Sequence, residues 1–280
     1  MRHGAPGMKH FQPTVLMLLA AGSLVSSLSG QWLNYPTPGV PRTSDGKPNL
    51  SAACPRTTDG KPDLSGVWEP VYNRPGAPPP PFEGCAPVSR EFLNIGASLK
   101  EGLPYQPWAA ELVKKRRPEE RAHDPITNCL PAGLVRLHTY ALLKRVIQIP
   151  GLVVILNELD ASYRQIFTDG RSLPVDPNPT WNGYSVGRWE GDTLVVQSSG
   201  FRDGMWADAG GSPLTDAAKI SERFRRLDFG HLEIEITVDD PKAYTKPWTV
   251  KLDQAIKLDT NLIDAFCHEN EKDVQHLVVK

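Results

Sequence analysis

Neither sign of charge dominates this chain. Its 280 residues carry 31 Lys+Arg against 32 Asp+Glu, a formal net charge of −1. So even a balance excludes a basic nucleic-acid binder and an acidic solvating tail. No apolar run after residue 31 reaches the ~20 residues that a helix needs to cross a bilayer, so stable membrane insertion of the mature chain is not expected. Cysteine is scarce, with four residues and no CxxC or CxxxC spacing, which leaves a zinc knuckle without its ligand pairs. A GxSxG elbow, a Walker loop, GxGxxG and HExxH are not read in the chain either, so the sequence asks for no cofactor and no metal. What is present is core-forming material, 40% hydrophobic against 22% charged, and an excess of proline. Proline numbers 27, close to twice the usual ~5%. Twenty of these precede residue 132, which divides the chain into a proline-rich front and a regular back.

Met8-Lys9-His10 precedes an apolar run over residues 15–21 that continues to Val25, and small residues follow at Ser27-Leu28-Ser29-Gly30. A basic start, a short apolar stretch and a small-residue zone predict a signal peptide over 1–30 and a periplasmic or extracellular mature protein. In an oxidising compartment four cysteines permit two disulfides in three connectivities. Cys54 with Cys85 would fix the proline-rich front, and Cys129 with Cys267 would tie the regular part end to end.

Residues 31–90 read as an extended arm. Pro41-Arg42-Thr43-Ser44-Asp45-Gly46-Lys47-Pro48-Asn49-Leu50-Ser51 returns 14 residues later as Pro55-Arg56-Thr57-Thr58-Asp59-Gly60-Lys61-Pro62-Asp63-Leu64-Ser65. Each copy has a turn-forming Asp-Gly and a Pro that opposes regular pairing. Residues 78–81 are a polyproline stretch that cannot enter a sheet. One clear helix is predicted over 107–117, opened by Pro107.

Residues 91–280 read as a single β domain. Strands are expected at 67–71, 146–148, 152–156, 162–168, 184–189, 193–199, 220–226, 232–238, 249–258 and 262–267, most joined by short Gly-containing turns. With no helices to make crossovers, the fold class is mainly β, an antiparallel meander closing into a barrel or curled sheet. In hairpin 220–238, pairing Arg225 with Glu233 also pairs Arg223 with Glu235, and puts Phe224 opposite Ile234 on the other face. That register leaves Glu222 opposite Ile236, a carboxylate on an apolar face. Glu222 therefore reads as a rim residue reaching water or an arginine, as a ligand-facing acid with a raised pKa, or as a residue that a bulge turns outward. The link 200–219 mixes aromatics, carboxylates and glycines, as a barrel-mouth lid would, and supplies Asp208 and Trp206. His231, His268 and His276 stand isolated.

Asp63-Leu64-Ser65-Gly66-Val67-Trp68, Gly183-Tyr184-Ser185-Val186-Gly187-Arg188-Trp189-Glu190-Gly191-Asp192-Thr193-Leu194-Val195-Val196 and Asp239-Asp240-Pro241-Lys242-Ala243-Tyr244-Thr245-Lys246-Pro247-Trp248 resemble the shared blocks of a large family of exported bacterial proteins of unknown function. The resemblance covers most of the mature chain and implies no particular chemistry. The family pattern carries Pro-His-Ser where this chain has Pro213-Leu214-Thr215, so a role resting on that histidine is absent here. Gly66-Val67-Trp68 is also similar to the G-x-W opening strand of lipocalin-like barrels, a likeness of fold only.

Two function classes follow. One is a binder of a small, partly apolar molecule, with Tyr184, Trp189, Trp206 and Trp248 as lining. The other is an acid/base enzyme (hydrolase, lyase or isomerase) in the barrel mouth, using Glu222 or Asp208 with His231 or Tyr184.

Overall fold

A computed structural model describes residues 35–71, 88–116 and 123–267. The expected signal peptide, Cys85, the polyproline stretch, His268 and His276 lie outside them. Thr37–Lys280 is one compact unit.

Apolar residues alternate with polar ones along most strands, and alternation of period two puts one face of each strand inward. Nine strands close into a barrel: β1 (Gly66–Pro70), β2 (Lys144–Ile149), β3 (Leu152–Asn157), β4 (Tyr163–Phe167), β5 (Tyr184–Glu190), β6 (Thr193–Ser199), β9 (Lys219–Arg226), β10 (His231–Asp239) and β11 (Trp248–Ile256). β1 is the closing strand, paired antiparallel with β2 on one side and β11 on the other. Among the described residues, closure leaves the barrel itself no open edge.

The antiparallel meander holds except at one seam. β4 and β5 run parallel, paired through Ile166 with Ser185 and Phe167 with Val186. The long link 168–183 carries the chain back along the barrel before β5 begins, as parallel neighbours require. The strand expected at 262–267 does not form; Ala265 makes only an isolated bridge with Leu159. Glu158 holds this segment instead, its carboxylate accepting from Ile263 N and Leu143 N. The Cys129–Cys267 disulfide forms. Among the described residues Cys54 makes no disulfide, its Sγ–H donating to Pro55 O at 3.3 Å, and its expected partner Cys85 lies outside them.

The expected helix is α2 (Pro107–Lys115), with Pro107 in its first turn and the Trp108 indole donating to Lys242 O. Two single-turn helices were not legible, α1 (Arg90–Leu93) and α3 (Leu134–Leu137). The 200–219 link is no open lid. It folds as a small hairpin, β7 (Met205–Trp206) with β8 (Pro213–Leu214), and Leu214 is buried in the core.

Both repeat copies close as equivalent loops. Thr43 N donates to Lys47 O and Asn49 N to Pro41 O; Thr57 N and Asp63 N repeat both bonds on Lys61 O and Pro55 O. Pro48 and Pro62 sit at the bridge positions opposite Arg42 and Arg56. There the flanking residues carry the hydrogen bonds, so the missing proline N–H costs nothing. The second copy is tied to the barrel by a bidentate Arg56–Asp192 pair.

Candidate functional site

The lumen is packed, and its packing includes charge. Register places Val196, Glu222, Ile236 and Val250 in one row across β6, β9, β10 and β11. Glu222 is 0% exposed. Arg164, two residues before Ile166 on the inward face of β4, meets it bidentately, with Nη1 on Oε1 at 3.0 Å and Nη2 on Oε2. The same guanidinium donates from Nε to Ser185 Oγ and from Nη2 to Ser198 Oγ. His138, directly after α3, places Nε2 2.8 Å from Glu222 Oε1. Burial by itself would raise the Glu222 pKa, but Arg164 and the His138 hydrogen bond override it and hold the carboxyl at about 2. The raised-pKa expectation for Glu222 is therefore overturned, since it is an ionised structural partner. Burial pushes the His138 pKa down against the pull of Glu222. An ionised carboxylate can only accept, so Nε2 carries the proton and Nδ1, buried, finds no partner among the described residues. Nearby, Lys144 Nζ donates to Gln254 Oε1 at 2.7 Å and Gln254 Nε2 to His138 O at 3.1 Å. Burial lowers the Lys144 pKa to about 7, with Glu69 opposing.

Space for a ligand lies outside this lumen. A cavity of about 530 Å³ is lined by Leu93, Asn94, Glu101, Gly102, Leu103, Tyr105, Val113, Arg116, Asp208, Ala209, Gly210 and Ser212. Segments from α1 to α2 and the turn between β7 and β8 build it. Asp208 is 0% exposed and organises that turn. Its Oδ1 accepts from Ser212 N at 3.0 Å, and its Oδ2 from Ser212 Oγ at 2.6 Å and Ile95 N at 2.8 Å. Tyr105 Oη lies 2.7 Å from Ser212 Oγ. Burial raises the Asp208 pKa against the lowering effect of the Ser212 and Ile95 bonds. Arg116 lies over the Trp206 ring, 4.5 Å from its centroid, and donates to Gly211 O. A second cavity, about 510 Å³, shares Glu101 and Gly102 with the first and is lined also by Leu99, Lys100, Pro104, Thr245, Lys246, Pro247, Trp248 and Thr249.

The residues singled out in the sequence are thus dispersed. Glu222 lies in the lumen, Asp208 in the cavity wall, and His231 on the exposed β9–β10 turn with Nδ1 on Asp228 Oδ1 at 2.7 Å. Tyr184 donates to Asn178 O. Trp189 packs against the core, and Trp206 is buried beneath Arg116. Trp248 lines the second cavity. Sequence reasoning missed Arg164, His138, Lys144, Tyr105 and Ser212. Arg164 was findable, because alternation in Tyr163-Arg164-Gln165-Ile166-Phe167 puts it on the face of Ile166. It also overlooked that Gly183-Tyr184-Ser185-Val186-Gly187 spells G-x-S-x-G. Ser185 lies within strand β5 and faces the lumen, not on the strand-to-helix turn of a nucleophile elbow, so the match carries no nucleophile. Comparison of the chain with family models, with curated proteins and with solved structures returns no match.

Proposed function

We propose that this protein binds a small, partly apolar molecule in the 530 Å³ cavity beside the barrel. One observation carries the reading. The cavity falls in the ~300–1,000 Å³ range of small-molecule sites, and an apolar wall (Leu93, Leu103, Val113) faces converging polar groups (Tyr105, Ser212, Asp208, Arg116). The barrel supplies rigidity, and the polar groups sit on loops that it holds. Export belongs to the same proposal. Residues 1–30 act as a cleaved leader, and the chain is a member of the exported family that its sequence blocks resemble. The Cys129–Cys267 disulfide is compatible with that setting, and among the described residues no helix is long and apolar enough to cross a membrane.

Native mass spectrometry of protein purified from its own host tests the reading, alongside Val113→Trp, which fills the cavity. A small molecule retained by the wild type and absent from the variant supports it. Retention by both, or by neither, argues against this cavity. The acid/base alternative rests on Asp208, a buried carboxyl with a raised pKa in a cavity wall. Turnover abolished by Asp208→Asn, with folding intact, would favour that alternative.

A further inference from the structure

The second cavity, about 510 Å³, lies between the loop that joins α1 to α2 and the start of β11. Hydrogen bonds tie its two walls together. Thr245 N donates to Pro104 O at 2.8 Å, Thr245 Oγ1 donates to the same oxygen at 3.1 Å, and Gln106 N donates to Ala243 O at 2.8 Å. The space is thus formed before anything enters it. Leu99, Pro104 and Pro247 give it an apolar lining. Its polar side chains are mostly donors: Lys100 and Lys246 carry ammoniums, and the Trp248 indole N–H donates only. The Thr245 hydroxyl is already committed to Pro104 O, and the Thr249 hydroxyl is paired with that of Thr237 at 2.8 Å. Glu101 is the acidic residue of the lining, a loose partner for Lys246 with Oε2 3.9 Å from Nζ. Two ammoniums against one carboxylate leave an excess of one positive charge. Trp248 is 4% exposed, and its Nε1–H is buried with no acceptor among the described residues. A shift of the ring toward an entering acceptor therefore gives up no hydrogen bond, and it satisfies a donor that is costly to leave unpaired.

We infer that this second cavity is a separate binding site for a small organic monoanion, an apolar body carrying one carboxylate. The carboxylate accepts from Trp248 Nε1 and lies in the field of Lys100 and Lys246, while the apolar body rests on Leu99, Pro104 and Pro247. An ionised carboxylate only accepts, so it answers this set of donors without bringing a donor of its own. Its single negative charge also matches the single positive excess of the lining, a complementarity that a neutral amide of the same shape forfeits. The site is distinct from the 530 Å³ cavity. The two share Glu101 and Gly102, but Arg116, Asp208 and Ser212 line the first, whereas both lysines and Trp248 line the second.

The test uses phenylacetate and its neutral counterpart phenylacetamide, titrated near neutral pH and followed by NMR at the indole N–H resonance of Trp248. Phenylacetate should shift that resonance and bind more tightly than phenylacetamide. Lys100→Met and Lys246→Met should each weaken phenylacetate about threefold, the scale of an exposed ion pair, and leave phenylacetamide unchanged. Added salt should weaken phenylacetate as it screens the lysine charges. Val113→Trp, which fills the first cavity, should leave phenylacetate binding as it is. Equal affinity for the two probes, or phenylacetate binding undiminished when both lysines are replaced, overturns the inference. Phenylacetate binding without a shift at Trp248 overturns it too, as does binding lost in Val113→Trp, which would place the anion in the first cavity. No binding of phenylacetate at all overturns this inference and leaves the reading of the 530 Å³ cavity untouched.

Discussion

At the scale of single residues, the lumen shows how a costly group becomes a structural one. Glu222 in isolation would be expensive to bury, and its removal would then stabilise the fold. With Arg164 and His138 bonded to it, the sign reverses, because Glu222→Gln leaves a buried guanidinium uncompensated. We expect equilibrium denaturation to show a loss of about 3–5 kcal/mol for Glu222→Gln. A neutral or stabilising result would mean that Arg164 is satisfied without it. The carboxyl pKa falls from 4.5 to about 2 on folding, so its contribution is present above pH 4.5 and is lost as pH falls toward 2. Lys144 works the other way. Its pKa drops from 10.5 to about 7, so the unfolded chain binds the extra proton between those values. Stability should therefore rise with pH across that window, and Lys144→Met should remove the rise in urea unfolding measured at several pH values. An unchanged slope in the variant would assign the rise to other groups.

Among the elements, the β9–β10 hairpin and the repeat loops are the parts that local chemistry specifies best. Arg225 opposite Glu233 and Arg223 opposite Glu235 fall in the register read from charge alone, with Phe224 opposite Ile234 behind them. Only Arg225–Glu233 closes as an ion pair, while Arg223 meets Glu190 and Glu235 meets Lys251; such surface pairs steer register more than they stabilise, each worth a few tenths of a kcal/mol. In the repeat loops the turn depends on backbone conformation. Gly60 has φ +79° and nothing within 4 Å of where a Cβ would lie. Gly60→Ala should then cost about 1 kcal/mol through left-handed strain with no clash, read as a lowered unfolding free energy. A loss well beyond that would point to a contact made by the loop in another state. Elements that only complete the barrel were harder to read. α1 and α3 are single turns, too short for a periodic pattern, and are fixed by what they pack against.

For the whole molecule, the Cys129–Cys267 bridge spans 138 residues and encloses every barrel strand but β1. Cross-linking so long a segment chiefly restricts the unfolded chain. Replacing both cysteines by serine should lower the unfolding free energy by about 2–5 kcal/mol, with the native circular dichroism unchanged below the transition. Equal midpoints for both proteins would show that the bridge constrains nothing that the barrel does not already fix.

Sequence by itself determined the barrel strands to within a residue or two, the hairpin register, the proline-opened helix and the inward position of Glu222. Each of these is set by neighbours in sequence or by strict alternation, which a single chain displays directly. Tertiary structure decided the rest: that β4 meets β5 in parallel, that residues 262–267 find no strand partner, and that Glu222 is answered by Arg164 and His138. It also decided that the cavity is walled by Tyr105, Asp208 and Ser212, brought together over 107 residues of chain between Tyr105 and Ser212. Such partners come together only when the barrel closes, because closure sets which loops share a wall, and no local pattern encodes that meeting.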